Sequence, residues 1–550
     1  MIGATRGWRA AAAMVAAGLL LGVVLGLAPA DRVAAHAGLE SSTPAASSIL
    51  ETSPSNIVLD YDEAIEATLA SIQLFDATKT IVPTGAPQAV AGDDTVVLAS
   101  VPALADGLYA VVWRVTSVDG HVVDGAFSFQ VGTGGTSGAD GGSLVDDVLQ
   151  GARADSLVTR LAGVARMLGF LGVVLVLGSG TWVMVLAGGV ASMRARWVIR
   201  VGWVMLFVGT AASFGLHAAT VAAGSISDAW SPSRWSDITG THTGNVLLAR
   251  LVLTVLVGVA VALARFHRAL WWRVGAAVGA IGVIVSFPAS GHAAATSPTS
   301  VWIVSDALHM AAMIVWLGGL VVFSLGLVVF ADTDVLSAAL KKFSMTATVT
   351  MPVLIVTGTA QTLRLAGGVG RITSTDWGRT LLVKLTVVSV IVAVAAVSRW
   401  LLLNDGVATI RRLVTVEAVL GVIVLALAAS LVSLPPRPPA DSALFTATLT
   451  EAGTIVDVTV SPGRVGQNEM HLVITPAGGS LQPTVSATAR MSLPDLEVPN
   501  TPVALVAEGA NHYSGTVTLP FSGTWVLEII IEPTPGNTLA ISTPVPIPHP

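Results

Sequence analysis

Eight long apolar runs between residues 157 and 433 constrain the fold of this chain more than any other feature. Each run is long enough to cross a bilayer as an α-helix, which takes about 20 residues. The composition agrees, because 53% of the 550 residues are hydrophobic and only 11% are charged, whereas soluble domains carry about 25% charged residues. We therefore predict a polytopic helical bundle in a lipid bilayer, with spans near 158–189, 198–219, 246–264, 273–291, 301–330, 344–364, 380–403 and 413–433.

The basic residues between these runs predict how the bundle is oriented. They follow the first, third, fifth and seventh runs, as Arg194, Arg196 and Arg200; Arg265, Arg268 and Arg273; Lys341 and Lys342; and Arg411 and Arg412. Loops that carry excess Lys and Arg stay in the cytoplasm. Because the number of spans is even, both termini are then extracytoplasmic, and the chain is a multi-pass protein of the cell membrane.

The N-terminus has the pattern of a signal peptide. Arg6 and Arg9 precede an apolar stretch at 10–27, and small or aliphatic residues at Val33 and Ala35 suit a signal peptidase. We predict that residues 1–35 are removed, so that His36 becomes the first residue of the mature chain. The sites at Ala28-Pro29-Ala30 and Ala35-His36-Ala37 compete, and neither leaves His36 at the terminus.

The polar parts of the chain read as β-structure. Residues 36–131 contain short runs of β-branched and aromatic residues between Pro, Gly, Asp and Ser clusters, which is typical of an all-β sandwich. Residues 132–156 begin with a Gly-rich stretch that predicts a flexible linker. After the bundle, which we assign to 157–433, the segment 434–550 alternates again and predicts a second external all-β sandwich.

Three residues of the first β-region suit a metal ion. A terminal His36 offers its α-amine and its ring Nδ1 as a chelate, and Asp119 and His121 add a carboxylate and an imidazole. A strand would place these last two on one face, and Gly120 would equally allow a turn that brings them together. Three nitrogens and one oxygen suit Cu(II), which also heads the affinity order of the divalent first-row metals.

Residue types that are absent narrow the chemistry further. The chain has no cysteine, which excludes disulfides, thiolate metal sites and thiol catalysis. No methionine lies between His36 and Gly132, so a thioether Cu(I) site is not expected in this domain. The net charge of −6 gives no reason to expect nucleic acid as a partner.

The segments 107–121 (Gly-Leu-Tyr-Ala-Val-Val-Trp-Arg-Val-Thr-Ser-Val-Asp-Gly-His) and 125–131 resemble the CopC copper-binding family. The resemblance covers nearly all of 36–131. It implies a Cu(II) site formed by the terminal amine and ring of His36 with Asp119 and His121. The methionine-dependent Cu(I) site of other CopC members is not implied, because this domain lacks those methionines.

Polar residues within the apolar runs predict a copper path. Asp306, His309, Met310 and Met313 share one face of the fifth span, and His217 and His292 end the second and fourth spans on the external side. Methionines in such a helix are more often packing residues, and histidines at span ends are often interfacial. Arg160, Arg166 and Arg250 lie near span ends, where long side chains can reach the interface.

The run from Ser290-Gly291-His292 through Asp306, His309 and 316–320, together with 377–384, resembles the CopD membrane family. This resemblance implies copper movement across the membrane, as Cu(I) or Cu(II). We expect capture and translocation to be separate, so that His292 and His309 take no part in Cu(II) binding by the outer domain. We further expect Asp306 either to coordinate the ion or to orient the ring of His309.

The segments 460–468 and 523–525 resemble the YtkA-like β-domain, which implies little chemistry. The whole chain is thus similar to a CopC–CopD fusion protein that acquires copper and is not an enzyme. Its expected partners are the copper ion, the bilayer and an external copper chaperone, with no oligomeric state indicated. Two alternatives stay open: copper sequestration with the bundle as anchor, and a haem-dependent copper reductase.

Overall fold

The computed structural model describes most of the chain between residues 38 and 547. The described residues are 38–132 apart from 45–47, 51 and 62; 144, 145 and 148; 156–434 apart from 188–191, 264–269, 329–332, 367–371, 373, 374, 404–406 and 433; and 445–547 apart from 462, 464, 477–483, 497 and 510. The predicted signal peptide, His36 and nearly all of the predicted linker lie outside these residues.

The N-terminal domain is a β-sandwich, as predicted. Its strands are β1 (Leu39–Thr43), β2 (Ile49–Leu50), β3 (Asn56–Tyr61), β4 (Ser71–Asp76), β5 (Ile81–Val82), β6 (Gln88–Val90), β7 (Asp93–Ser100), β8 (Gly107–Thr116) and β9 (Val122–Val131). One sheet has the order β1-β3-β7-β6 and the other β2-β9-β8-β4-β5. The long antiparallel strands β8 and β9 follow each other in the chain, so the turn between them closes at residues 117–121.

Alternation of side chains builds the core of this sandwich. Along β3, Ile57, Leu59 and Tyr61 are buried while the residues between them are less so, as expected for a strand with one face on a core. The Tyr61 and Trp113 rings meet edge to face, with centroids 5.4 Å apart. A Cβ atom at Gly125 would lie 2.4 Å from the Trp113 ring, so that ring leaves room only for glycine.

The middle of the chain is helical. Its helices are α1 (Ser156–Val173), continued through a π-turn (Val174–Gly178) into α2 (Ser179–Ala187); α3 (Met193–Val221), α4 (Pro232–Ile238), α5 (His242–Leu263), α6 (Leu270–Ala289), α7 (His292–Ala295), α8 (Thr299–Leu325), α9 (Thr333–Ala366), α10 (Asp376–Leu403) and α11 (Val407–Leu431). Among the described residues, eight helices are long and apolar enough to cross a membrane when α1, the π-turn and α2 count as one. The prediction of eight spans is confirmed.

Two helices differ from the predicted spans for local reasons. α8 ends at Leu325 rather than near residue 330, because Gly326 adopts a left-handed conformation (φ 59°) and caps the helix. α9 begins at Thr333 rather than near residue 344, because the polar segment with exposed Lys341 and Lys342 continues the helix beyond its apolar part. Hydropathy detects the apolar part of a helix and not its polar extension.

Helix α8 lies at the centre of the bundle. In its apolar segment, 61% of the residues are buried, which is the highest share among the candidate spans. The backbones of α8 and the π-turn approach closely, because a Cβ atom at Gly318 would lie 2.2 Å from the carbonyl carbon of Gly178. Small residues permit such backbone contact between membrane helices.

The C-terminal domain is all-β, as predicted, but its strands form one curled sheet and not the two-sheet sandwich that the sequence suggested. Its strands are β10 (Phe445–Glu451), β11 (Thr454–Ser461), β12 (Gly466–Thr475), β13 (Ser486–Leu493), β14 (Val498–Gly509), β15 (His512–Leu519), β16 (Gly523–Thr534) and β17 (Asn537–Ile547). They form one sheet of order β10-β11-β12-β15-β14-β13-β16-β17. The sheet curls until β10 and β17 meet, so it is nearly a barrel. Its likeness to the YtkA-like domain stays a prediction.

Candidate metal centre

The turn between β8 and β9 brings Asp119 and His121 together. The Gly120 N–H donates to the Ser117 carbonyl (2.9 Å), and Gly120 takes a left-handed φ of 86° that favours glycine. The backbone N–H of His121 donates to Asp119 Oδ1 at 3.0 Å. Of the two geometries that the sequence left open, the structure adopts the turn.

A histidine from the helical region joins these two residues. His292 Nδ1 donates to Asp119 Oδ2 at 2.9 Å, and His121 Nδ1 lies 2.9 Å from the same oxygen. The two imidazole rings stack with centroids 4.9 Å apart. One ligand atom from each of the three residues lies within 4.8 Å of the others. The turn Thr116–Val123 and His292 belong to the same compact unit of the chain.

The charges of this cluster follow from burial and from its shared carboxylate. Burial would raise the pKa of Asp119, but attraction and hydrogen bonds from His121 and His292 outweigh it and hold this pKa well below the usual value. Burial acts to lower the pKa of His121, and the Asp119 carboxylate reverses this and raises it. For His292 burial prevails, so its pKa is lowered. The cluster therefore offers an ionised carboxylate and an imidazole that burial favours as neutral.

A buried arginine fixes the segment that leads to His292. Arg250 of α5 is only 4% exposed, and its Nη2 donates to the Ser286 carbonyl and to Ser290 Oγ, both at 2.6 Å. Its guanidinium also lies 4.0 Å from the Phe287 ring centroid. The interpretation of Arg250 as an interfacial side chain is therefore wrong. Its hydrogen bonds hold the end of α6 just before His292.

Two further hydrogen bonds hold the turn against the helices. His121 Nε2 donates to the Val432 carbonyl at 2.9 Å, and Thr243 Oγ1 of α5 donates to the Val118 carbonyl at 3.1 Å. Thr243 also limits the space beside Gly120, where a Cβ atom would lie 2.7 Å from Thr243 Cγ2. No sequence pattern pointed to Arg250, Thr243 or Val432, because their roles depend on tertiary contacts alone.

The other predicted site residues lie apart from this cluster. Asp306 pairs with Arg364 (3.0 Å) and not with His309, whose Nδ1 meets Thr357 Oγ1 at 2.8 Å. The expectation that Asp306 orients His309 is therefore wrong. Met310 belongs to the apolar core and Met313 packs against it. His217 is not a member of the cluster. The predicted ligand His36 lies outside the described residues.

We expect Gly120→Ala to weaken Cu(II) binding about tenfold, or about 1.4 kcal/mol. The substitution meets Thr243 and a left-handed backbone at once, and such strain costs about 1–3 kcal/mol. Competition with a chromophoric chelator measures the affinity of the purified full chain.

Gly92→Ala is the matched control for this variant. Gly92 has the same φ of 86° but no atom near its would-be Cβ. It should share the backbone strain and keep the copper affinity. Equal affinity of the two variants would show that the fit of the turn against Thr243 is irrelevant to binding.

Three family models match parts of this chain. Residues 39–132 match the CopC domain, residues 157–300 the N-terminal domain of copper resistance protein D-like proteins, and residues 337–431 copper resistance protein D. Asp119 and His121 thus lie in the first match and His292 in the second.

Individual relatives of the chain are also described as copper proteins. The copper transport protein CutJ of Bacillus subtilis (strain 168) is 23% identical over 463 residues, which is 81% of this chain and 83% of CutJ. The structure of CopC from Methylosinus trichosporium OB3b is 31% identical over 18% of this chain and 93% of that one, with a TM-score of 0.17. PcoC, a methionine-rich copper resistance protein from Escherichia coli, is 27% identical over 18% and 99%, also with a TM-score of 0.17.

These matches cover both the N-terminal β-sandwich and most of the helices. The CopC match contains two members of the cluster, and the two matches to copper resistance protein D contain most of the candidate spans. The chain is therefore a copper-handling membrane protein that carries CopC and CopD domains in one polypeptide.

Proposed function

We propose that the protein acquires copper, capturing Cu(II) outside the cell membrane and passing copper inward through the helical bundle. The observation that carries this proposal is the hydrogen bond between His292 and Asp119. It joins Asp119 of the β8–β9 turn to a residue three positions after the end of membrane helix α6, so one carboxylate is shared by both parts of the route. The description of the relative CutJ as a copper transport protein also supports it.

In this proposal the captured ion takes its ligands from both matched domains. The α-amine and ring of His36 would chelate Cu(II) after cleavage behind Ala35, and Asp119 and His121 would complete the set. His292 adds an imidazole that the sequence assigned only to the path. Imidazole and amine nitrogens suit copper, and carboxylate supplies the charge. Both β-domains are extracytoplasmic in this arrangement.

The inward route continues through the external half of the bundle. His309, buried beside Thr357, is the next candidate along α8. Arg364 holds Asp306 Oδ2, whereas Asp306 Oδ1 has no hydrogen-bond partner among the described residues. Met310 and Met313 serve the route only if the core around them opens. An external copper chaperone would deliver the ion, and the bilayer surrounds the bundle.

We expect His292→Ala to lower copper uptake by at least about tenfold and to weaken Cu(II) binding as well, because His292 touches the capture carboxylate. His309→Ala should lower uptake and leave the Cu(II) paramagnetic resonance spectrum unchanged, because Thr357 and not the cluster contacts its ring. Uptake into proteoliposomes and the spectrum of the purified full chain measure the two effects.

Val278→Ala is the control for both variants, because Val278 is 63% exposed on the outside of the bundle. It should retain uptake. If His292→Ala and His309→Ala reach normal abundance and take up copper at the full rate, the bundle is an anchor. Sequestration is then the better description of the protein.

A further inference from the structure

We propose that His217 is the bundle ligand that receives copper from the Asp119–His121–His292 cluster. This inference rests on the proposed function, because it assigns a residue to the first transfer step. His217 lies near the end of α3. The sequence predicted it as one of several path residues, with an interfacial role as the alternative, and the structure adds two observations.

The first observation is an unsatisfied nitrogen. His217 Nε2 is sealed from solvent and has no hydrogen-bond partner among the described residues. A buried polar atom without a partner costs about 1–3 kcal/mol. Two other histidines of the bundle differ: His242 Nε2 bonds to the Ala289 carbonyl, and His309 Nδ1 bonds to Thr357.

The residues next to His217 along α3 have apolar surroundings. Its neighbours Leu216 and Ala219 pack into an apolar cluster with Val158 and Ala165 of α1. A Cβ atom at Gly215 would lie 2.3 Å from the Ala229 carbonyl oxygen, so this part of α3 is closely covered. A leucine would satisfy such an environment better than a histidine does. The stability of the fold therefore does not explain why a histidine occupies this position.

The second observation is the position of His217. It interacts electrostatically with both His121 and Asp119. Its nitrogens are nevertheless not within the group of ligand atoms that lie 4.8 Å from one another. His217 thus neighbours the cluster from within a membrane-spanning helix, whereas Asp119 and His121 lie on the turn outside the spans. A ligand at this position would bind copper after the ion leaves the capture site, and it would not belong to that site.

The transfer is a ligand exchange that needs no electron donor or acceptor. A bond forms between His217 Nε2 and copper while the bond from copper to the Asp119 carboxylate breaks, and His292 holds the ion during the exchange. The released carboxylate regains its contact with His121, which is the contact of the metal-free state. Imidazole suits copper better than carboxylate does, so the exchange draws the ion inward.

The test uses His217→Leu in the full chain. Uptake into proteoliposomes should fall by at least about tenfold, and the paramagnetic resonance spectrum of the first Cu(II) equivalent should stay unchanged. The melting temperature of the metal-free protein should stay equal or rise, because the substitution removes an unsatisfied buried nitrogen. A histidine kept for packing would instead give a lower melting temperature.

His242→Leu is the matched control, since His242 is exposed and lies at the same end of the bundle. It should keep uptake. If the wild-type chain takes up copper and His217→Leu takes it up at the same rate, the inference is wrong and the proposed function is unaffected. Loss of stability in His217→Leu overturns it as well. Absence of uptake by the wild-type chain overturns the proposed function itself and removes the ground for the inference.

Discussion

Asp119→Asn is expected to weaken Cu(II) binding by about 100-fold, or about 2.7 kcal/mol, and to abolish most copper uptake. Asp119 Oδ2 lies 2.9 Å from the Nδ1 atoms of both His121 and His292, and the residue is only 3% exposed. Asparagine keeps the size of the side chain and the acceptor for the backbone of His121. It lacks the charge that attracts the ion and both histidines. Chelator competition on the purified full chain measures the loss.

Asp93→Asn is the control, because Asp93 is an exposed carboxylate at a turn of the same sandwich. It should bind Cu(II) as the wild-type chain does. An Asp119→Asn protein that folds, keeps its resonance spectrum and retains its affinity would place the copper ligands elsewhere.

Adding one residue before His36 is expected to weaken Cu(II) binding by at least about 100-fold. The added residue moves the free α-amine away from the ring of His36 and breaks the chelate. The amine has a pKa near about 8, so copper can displace its proton at neutral pH. Mass spectrometry of the mature chain first establishes whether cleavage follows Ala35, and chelator competition then compares the two termini.

The matched variant is His36→Ala with the natural terminus. It keeps the amine and loses the ring, so its affinity should lie between those of the wild-type and extended chains. Equal affinity of all three would mean that Asp119, His121 and His292 bind copper without the terminus.

The spans and the β-domains could be predicted because the forces that form them act along the chain. A helix in a bilayer must be apolar over about 20 residues, and a half-buried strand must alternate. Both patterns can be counted in the sequence. The short helices α4 and α7 escaped prediction because neither has an apolar run of that length.

Two of the three cluster residues could be joined from the sequence, and the third could not. Asp119 and His121 lie two residues apart, so local geometry is enough to join them. His292 lies 173 residues from Asp119, and only the packed bundle brings it there. The expectation that His292 lies apart from Asp119 and His121 is therefore wrong. For Asp306 and His309, helical periodicity placed both on one face correctly but could not tell that Arg364 and Thr357 lie opposite.

The turn that carries Asp119 and His121 contacts the helices through side chains that would also bind the ion. Among the described residues, the bonds from His292 to Asp119 and from His121 to Val432 use ligand side chains, whereas the bond from Thr243 to Val118 does not. An ion that claims the carboxylate and both imidazoles must loosen at least part of this attachment. By thermodynamic reciprocity, whatever tightens the attachment must weaken the hold on copper by the same factor. Copper binding and release of the turn from the helices are thus thermodynamically coupled.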